Sequence, residues 1–198
     1  MSIQASGTQA ASTPASVAVF VGSLRKESFN RKIADILAEL AGDSLRFEQI
    51  EIGNLPHYNQ DLDDEGTPPA QWTAFREKVA PFDAVLFVTP EYNRSVPAVL
   101  KNALDVGSRP YGKSVWDGKP GAVVSVSPGA IGGFGANHHL RQALVFLNVP
   151  TLQQPEAYLG GVSKLLGDDG KLQNEGTKEF LGKFVKAFAD WIASNKKS

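Results

Sequence analysis

The sequence predicts an α/β fold, a parallel sheet covered by helices on both faces. Three observations carry that expectation. Residues 17–21, 84–88 and 121–126 are short, nearly unbroken apolar runs, the pattern of strands buried on both sides. Segments with apolar residues at spacing three to four separate them, the pattern of helices packed on a sheet. Each run also ends in a loop rich in small and polar residues: 23–30, 90–95 and 127–135.

Taken in order, residues 17–21 (VAVFV) form the first strand, closed by Gly22. In the helix that follows, Phe29, Ile33, Ile36, Leu37 and Leu40 share a face, and Gly42 stops it. Phe47, Ile50 and Ile52 lie in the second predicted strand, which completes a βαβ unit. Residues 53–69 read as irregular, with the acidic stretch 61–65 as a solvated loop. Pro68 and Pro69 open a short helix that runs through Val79, proline being tolerated in a first turn. Residues 84–88 are the third strand, 97–106 a helix, 121–126 the fourth strand, 137–147 a helix and 151–158 the fifth strand. In the last helix Phe180, Phe184, Phe188 and Trp191 mark a wide core-facing stripe; Lys196 and Lys197 follow as a solvated end that suits the helix dipole. Five strands with these loops fit a flavodoxin-like three-layer sandwich of strand order 2-1-3-4-5. Residues 1–16, rich in Ser, Ala, Thr and Gln, read as a flexible tail, and 17–198 as one domain.

Composition narrows the chemistry. With 42% hydrophobic and 21% charged residues the chain suits one packed domain. A net charge of −1 gives no basic excess for nucleic acid. The chain has no cysteine, which excludes disulfides, thiol redox chemistry and cysteine-ligated zinc or iron–sulfur centres. No secretory signal and no apolar run of spanning length is seen, so the cytoplasm is the expected location, with no membrane partner. His138 and His139 are adjacent, so on a helix they point about 100° apart, and no metal site is expected. Residues 107–114 (GSRPYGKS) match the P-loop pattern letter for letter. A working P-loop leaves a strand and opens a helix, whereas this segment follows a helix and meets Gly118 and Pro120. An NTPase is therefore rejected.

Ligands of such sheets bind beyond the carboxyl ends of the strands, near the switch point. Strands one, three and four are neighbours in the proposed order, so their loops form one rim. The first loop places Ser23, Arg25, Ser28 and Asn30 before a helix N-terminus, where hydroxyls, amide and free N–H groups suit a phosphate. No G-x-x-G follows Gly22, so a phosphate monoester fits better than a pyrophosphate. The same residues also suit a helix cap at Ser28 beside an ordinary turn. The second loop brings Tyr92 and Asn93 to the rim, an aromatic and an amide suited to a flat heterocycle, or else a surface tyrosine in a plain loop. The third carries Gly129, Gly132, Gly133 and Gly135, which permit close backbone approach or a flexible connection. Arg94, directly after Asn93, is a planar cation able to contact an anionic acceptor, or a solvated surface residue.

The segments GSLRKESFN, TPEYNRSVPAVLKNALD, SVSPGAIGG and HHLRQALVFLNV, in this order, resemble the NADPH-dependent FMN reductase family, on the side of its bacterial quinone and chromate reductases. The resemblance spans about residues 17–162. It implies that Ser23, Arg25, Ser28, Phe29 and Asn30 hold the FMN phosphate. Pro90, Glu91, Tyr92, Asn93 and Arg94 would line the isoalloxazine, with Ser127 and Gly129 closing the other side. It also implies NADPH or NADH as electron donor, quinones or chromate as acceptors, and a homodimer or homotetramer with the flavin near a subunit boundary. The order of events would be ping-pong: the nicotinamide gives a hydride to the flavin and leaves, and the acceptor then takes the electrons. The flavin carries the chemistry, so no side chain is assigned as acid, base or nucleophile. The chain departs from the family at Arg94, where close relatives often carry an aromatic. The alternatives are an azo-compound reductase and a flavodoxin-type electron carrier. Carriers of that kind are usually strongly acidic, which a net charge of −1 does not suit.

Overall fold

A computed structural model describes residues 13–196. Strands β1 (Ala15–Val21), β2 (Leu45–Gln49), β3 (Ala84–Thr89), β4 (Gly121–Val126) and β5 (Ala157–Leu159) form one sheet of order β2-β1-β3-β4-β5. Every neighbouring pair is parallel. The helices are α1 (Phe29–Ala41), α2 (Gln60–Asp64), α3 (Ala70–Val79), α4 (Ala98–Gly107), α5 (Phe134–Phe146) and α6 (Glu175–Asn195), with a 3-10 turn at Val162–Lys164. This is the expected flavodoxin-like order.

The period of two along each strand divides the core. Val17, Val19 and Val21 of β1 join Leu86 and Val88 of β3 beneath α1 and α6. Ala18 and Phe20 point the other way, with Val85 and Phe87, against α3, α4 and α5. In that second layer Trp116 is fully buried, its ring 5.2 Å from that of Phe20, and its indole N–H donates to the carbonyl of Leu104 at 2.9 Å. Central strands buried on both faces thus require apolar residues at every position.

Several boundaries differ from the sequence reading. β1 begins at Ala15, so Ala15 and Ser16 are strand rather than tail; the rest of the tail up to residue 12 lies outside the described residues, as does Lys197. Ile50 and Ile52 fall beyond β2 and pack on the α3 side of the sheet. The acidic stretch is largely a short helix rather than a loop; Asp61, Asp64 and Glu65 are solvated as expected, but Asp63 is not. Asn59 caps α2, accepting from the N–H of Asp61 at 3.1 Å, and Asp63 is buried in a two-armed pair with Arg76 at 2.8 and 2.7 Å. α5 starts at Phe134, three residues before its expected start, which takes the end of the third loop into the helix. β5 is confined to Ala157–Leu159, while Thr151 makes only an isolated bridge to Gly121. Lys196 does not merely suit the α6 dipole but reaches Asp83 at 2.8 Å. No helix among the described residues is long and apolar enough to cross a membrane.

Candidate active site

β1, β3 and β4 are neighbours and run the same way, so the chain leaves all three at one edge of the sheet. The N–H of Gly22 donates to the carbonyl of Val88 at 2.9 Å, joining the first loop to the end of β3. A Cβ at Gly22 would lie 3.0 Å from the Pro90 ring, so a side chain there would press these two loops apart by a few tenths of an ångström.

The first loop is anchored at both ends and exposed between them, at residues 24–27. Ser23, Ser28 and Asn30 are buried, whereas Arg25 is exposed and Phe29 is half-buried. Ser28 is the N-cap of α1, its Oγ accepting from the N–H of Arg31 at 3.3 Å and its carbonyl from the N–H of Lys32 at 3.1 Å. The cap leaves the N–H groups of Phe29 and Asn30 without an intrahelical acceptor. No acidic residue lies in that first turn, so nothing within it offsets the positive end of the helix dipole. The Oδ1 atom of Asn30 is buried and has no hydrogen-bond partner. A buried acceptor left unmet costs about 1–3 kcal/mol, which a ligand donor or a water would recover.

The second loop is a tight turn. Tyr92 and Ser95 exchange both backbone hydrogen bonds, at 3.2 and 3.0 Å, around Asn93 and Arg94 with φ of 51° and 65°. Two consecutive residues at positive φ mark a type I′ turn. Pro90 is buried, and the Tyr92 ring is half exposed at the rim. The Glu91 side chain is only 12% exposed, whereas Arg94 is 73% exposed and touches Glu91 at 3.5 Å. The third loop is pinned rather than flexible. Ser127 Oγ accepts from the N–H of Gly129 at 3.0 Å, and the Gly129 carbonyl accepts from the N–H groups of Gly132 and Gly161 at 3.3 and 3.1 Å.

The sequence model of the NADPH-dependent FMN reductases matches residues 15–164. The chain belongs to that family. It is 64% identical over 181 residues to a quinone reductase of Pseudomonas putida, covering 91% of this chain and 96% of that one. It is 44% identical over 180 residues to a 2-hydroxy-1,4-benzoquinone reductase of a Burkholderia species, covering 91% and 97%. Among solved structures it resembles the flavoenzyme NAD(P)H:(acceptor) oxidoreductase FerB of Paracoccus denitrificans, with a TM-score of 0.86 and 43% identity, covering 92% of this chain and 100% of that one. This FMN reductase family member is therefore an oxidoreductase that uses FMN and a nicotinamide electron donor.

The structure also brings together a group that the sequence reading missed. Within residues 127–135, Ile131 and Phe134 are exposed. The Phe134 ring lies 4.3 Å from His138 and 5.4 Å from Tyr158, and His138 Nε2 is hydrogen-bonded to the Tyr158 hydroxyl at 2.9 Å. Burial, reinforced by the neighbouring Glu156, pushes the Tyr158 hydroxyl up to about 12. The spacing of Phe134 and His138, one helical turn apart, was the available signal, but it required the true start of α5. A cavity of about 770 Å³ lies elsewhere, at the amino-terminal end of β4 among Arg141, Val145, Thr151 and Glu156, and shares no residue with the rim.

Proposed function

We propose that this chain reduces quinones with electrons from NADH or NADPH, and that its FMN rests on the rim formed by residues 23–30, 90–95 and 127–135. The observation that carries the reading is the first turn of α1. Buried hydroxyls of Ser23 and Ser28, free N–H groups at Phe29 and Asn30, and a positive helix end together suit a phosphate monoester. The unmet Asn30 Oδ1 suits a hydroxyl donor, such as the ribityl chain of FMN carries. Bound FMN supplies the two-electron transfer from nicotinamide to acceptor. The chain's own residues position and shield. Arg25, exposed at the loop tip, adds positive charge over the phosphate position, and Gly129 keeps its backbone close to Ser127. Tyr92 offers a ring face and Asn93 an amide along the second loop.

The finer parts of the reading follow from the same shelf. Donor and acceptor would use the flavin in turn, hence ping-pong kinetics with parallel double-reciprocal lines. The exposed guanidinium of Arg94 supports chromate as a second acceptor. A dimer or tetramer in the cytoplasm belongs to the same proposal, supported by the exposed Tyr111, Val145 and Phe146; a light-scattering mass near 21.2 kDa counts against it. The deciding experiment is titration of the purified protein with FMN and FAD, followed by quinone reduction under NADH and NADPH. FMN is expected to bind more tightly than FAD, because the loop has no second glycine turn for a pyrophosphate. Equal or tighter FAD binding sinks the phosphate site, and absence of quinone turnover sinks the activity.

A further inference from the structure

α5 starts without a cap of its own. Its N-cap is Gly133, which has no side chain, and its first turn holds no acidic residue. The N–H of Asn137 is satisfied by the Gly133 carbonyl at 3.0 Å. The N–H of Ala136 instead donates to Glu91 Oε2 at 3.0 Å, across 45 residues of sequence. The group that caps α5 therefore comes from the loop that leaves β3.

We infer that Glu91 is a positioning residue whose carboxylate caps α5 from outside and locks the Tyr92–Ser95 turn against the third loop. That these two loops face a flavin rests on the function proposed above. Three further observations support the lock. A Cβ at Gly135 would lie 3.0 Å from both Glu91 Oε2 and the Arg94 carbonyl oxygen, so the first turn of α5 crosses the turn at backbone distance. His139 Nδ1, one helical turn further on, lies 3.1 Å from Ser95 Oγ and fastens the other end of the turn. Between these fastenings Asn93 and Arg94 occupy the left-handed region, which persists only where the surroundings over-determine it. A carboxylate at a helix N-terminus is doubly favoured, by a charge-assisted hydrogen bond and by the dipole. The Glu91 carboxylate is thus engaged with α5, which leaves the backbone and the side chains of Tyr92, Asn93 and Arg94 as the groups this loop can offer a ligand.

Glu91→Ala, Glu91→Gln and the distant control Lys113→Ala test the lock by two readouts. The first is amide hydrogen exchange of the apoprotein. The second is the Kd for FMN from quenching of its fluorescence. Glu91→Ala is expected to speed exchange at residues 92–95 and 134–137 by about tenfold or more, and to raise the FMN Kd by a similar factor, the scale of a lost charge-assisted hydrogen bond. The Gln variant keeps an oxygen able to accept from Ala136 and should return both values to within about threefold of wild type, where the control also stays. Where the alanine variant does not fold, Glu91→Asp, one methylene shorter, should loosen the same two segments to a smaller degree. Unchanged exchange there, or in Glu91→Ala, overturns the lock. So does exchange that rises evenly along the chain, or a Gln variant as impaired as alanine. Wild-type protein that binds no FMN refutes the proposed function, while the exchange readout still decides the lock.

Discussion

Arg94 is constrained at its backbone and nearly free at its tip. Its φ of 65° is fixed by the turn, yet its guanidinium is 73% exposed and meets Glu91 only at 3.5 Å. An exposed pair of that kind contributes about 0–1 kcal/mol. The residue is therefore unsuited to holding the fold together and available to attract an anion. Arg94→Ala is expected to raise the KM for chromate by up to about fivefold at low salt, and to leave that for a neutral quinone unchanged. Moderate salt should shrink the difference, because an exposed charge is screened. Steady-state assays with both acceptors at two ionic strengths check this. Equal losses for both acceptors would mean that Arg94 orients the flavin instead, and no loss for either would return it to the solvated surface. Asn30 is its opposite, 5% exposed with an unmet acceptor, so truncation there should act on flavin binding and little on acceptor choice.

α2 shows how an element can be hidden by its own composition. Five residues with three acids carry no apolar stripe, so nothing in QDLDD marks a helix. Only the fold reveals that Asp63 turns inward to Arg76, whose Nε also donates to the carbonyl of Val106 at 2.9 Å. The pair is nearly buried, at 12% exposure for Arg76 and 4% for Asp63. Asp63→Ala leaves a buried guanidinium uncompensated and is expected to lower unfolding free energy by about 3–5 kcal/mol in denaturant titrations. A loss below about 1 kcal/mol would show that water reaches Arg76. The central strands were legible for the converse reason. Burial on both faces demands unbroken apolar runs, and β4 was read to the residue. The edge strand β2 is exposed on part of its length and was misplaced. The rim was legible because strand ends are fixed by strand order. The partners of its residues were not. Nothing local in the sequence links Glu91 to Ala136, and the glycines that permit their approach read equally well as slack.

At the edge of the sheet opposite the rim, Asp83 ties together the start of β1, the start of β3 and the end of α6. One carboxylate oxygen accepts from the N–H and the hydroxyl of Ser16, both at 2.8 Å, and the other meets Lys196 at 2.8 Å. Burial opposes ionisation of this carboxyl, but the hydrogen bonds from Lys196 and Ser16 and the Lys196 charge outweigh it and hold the group down at about 2, against an ordinary value of 3.8. A carboxyl whose folded pKa lies below its unfolded pKa stabilises the fold fully above the unfolded value, and that stabilisation fades as pH falls through the folded one. The shift corresponds to about 2 kcal/mol, less where salt screens the half-exposed lysine. Asp83→Asn is therefore expected to lower the melting temperature at pH 7 by several degrees, about 2–4 °C per kcal/mol for a domain of this size. The gap between variant and wild type should hold down to about pH 4 and close toward about pH 2, because protonation then gives the wild type the same neutral group. FMN affinity at pH 7 should not change, since the tie lies at the far edge of the sheet. Thermal melts across that pH range decide the matter: a gap that stays constant down to about pH 2 would mean that the asparagine acts through packing rather than through lost charge.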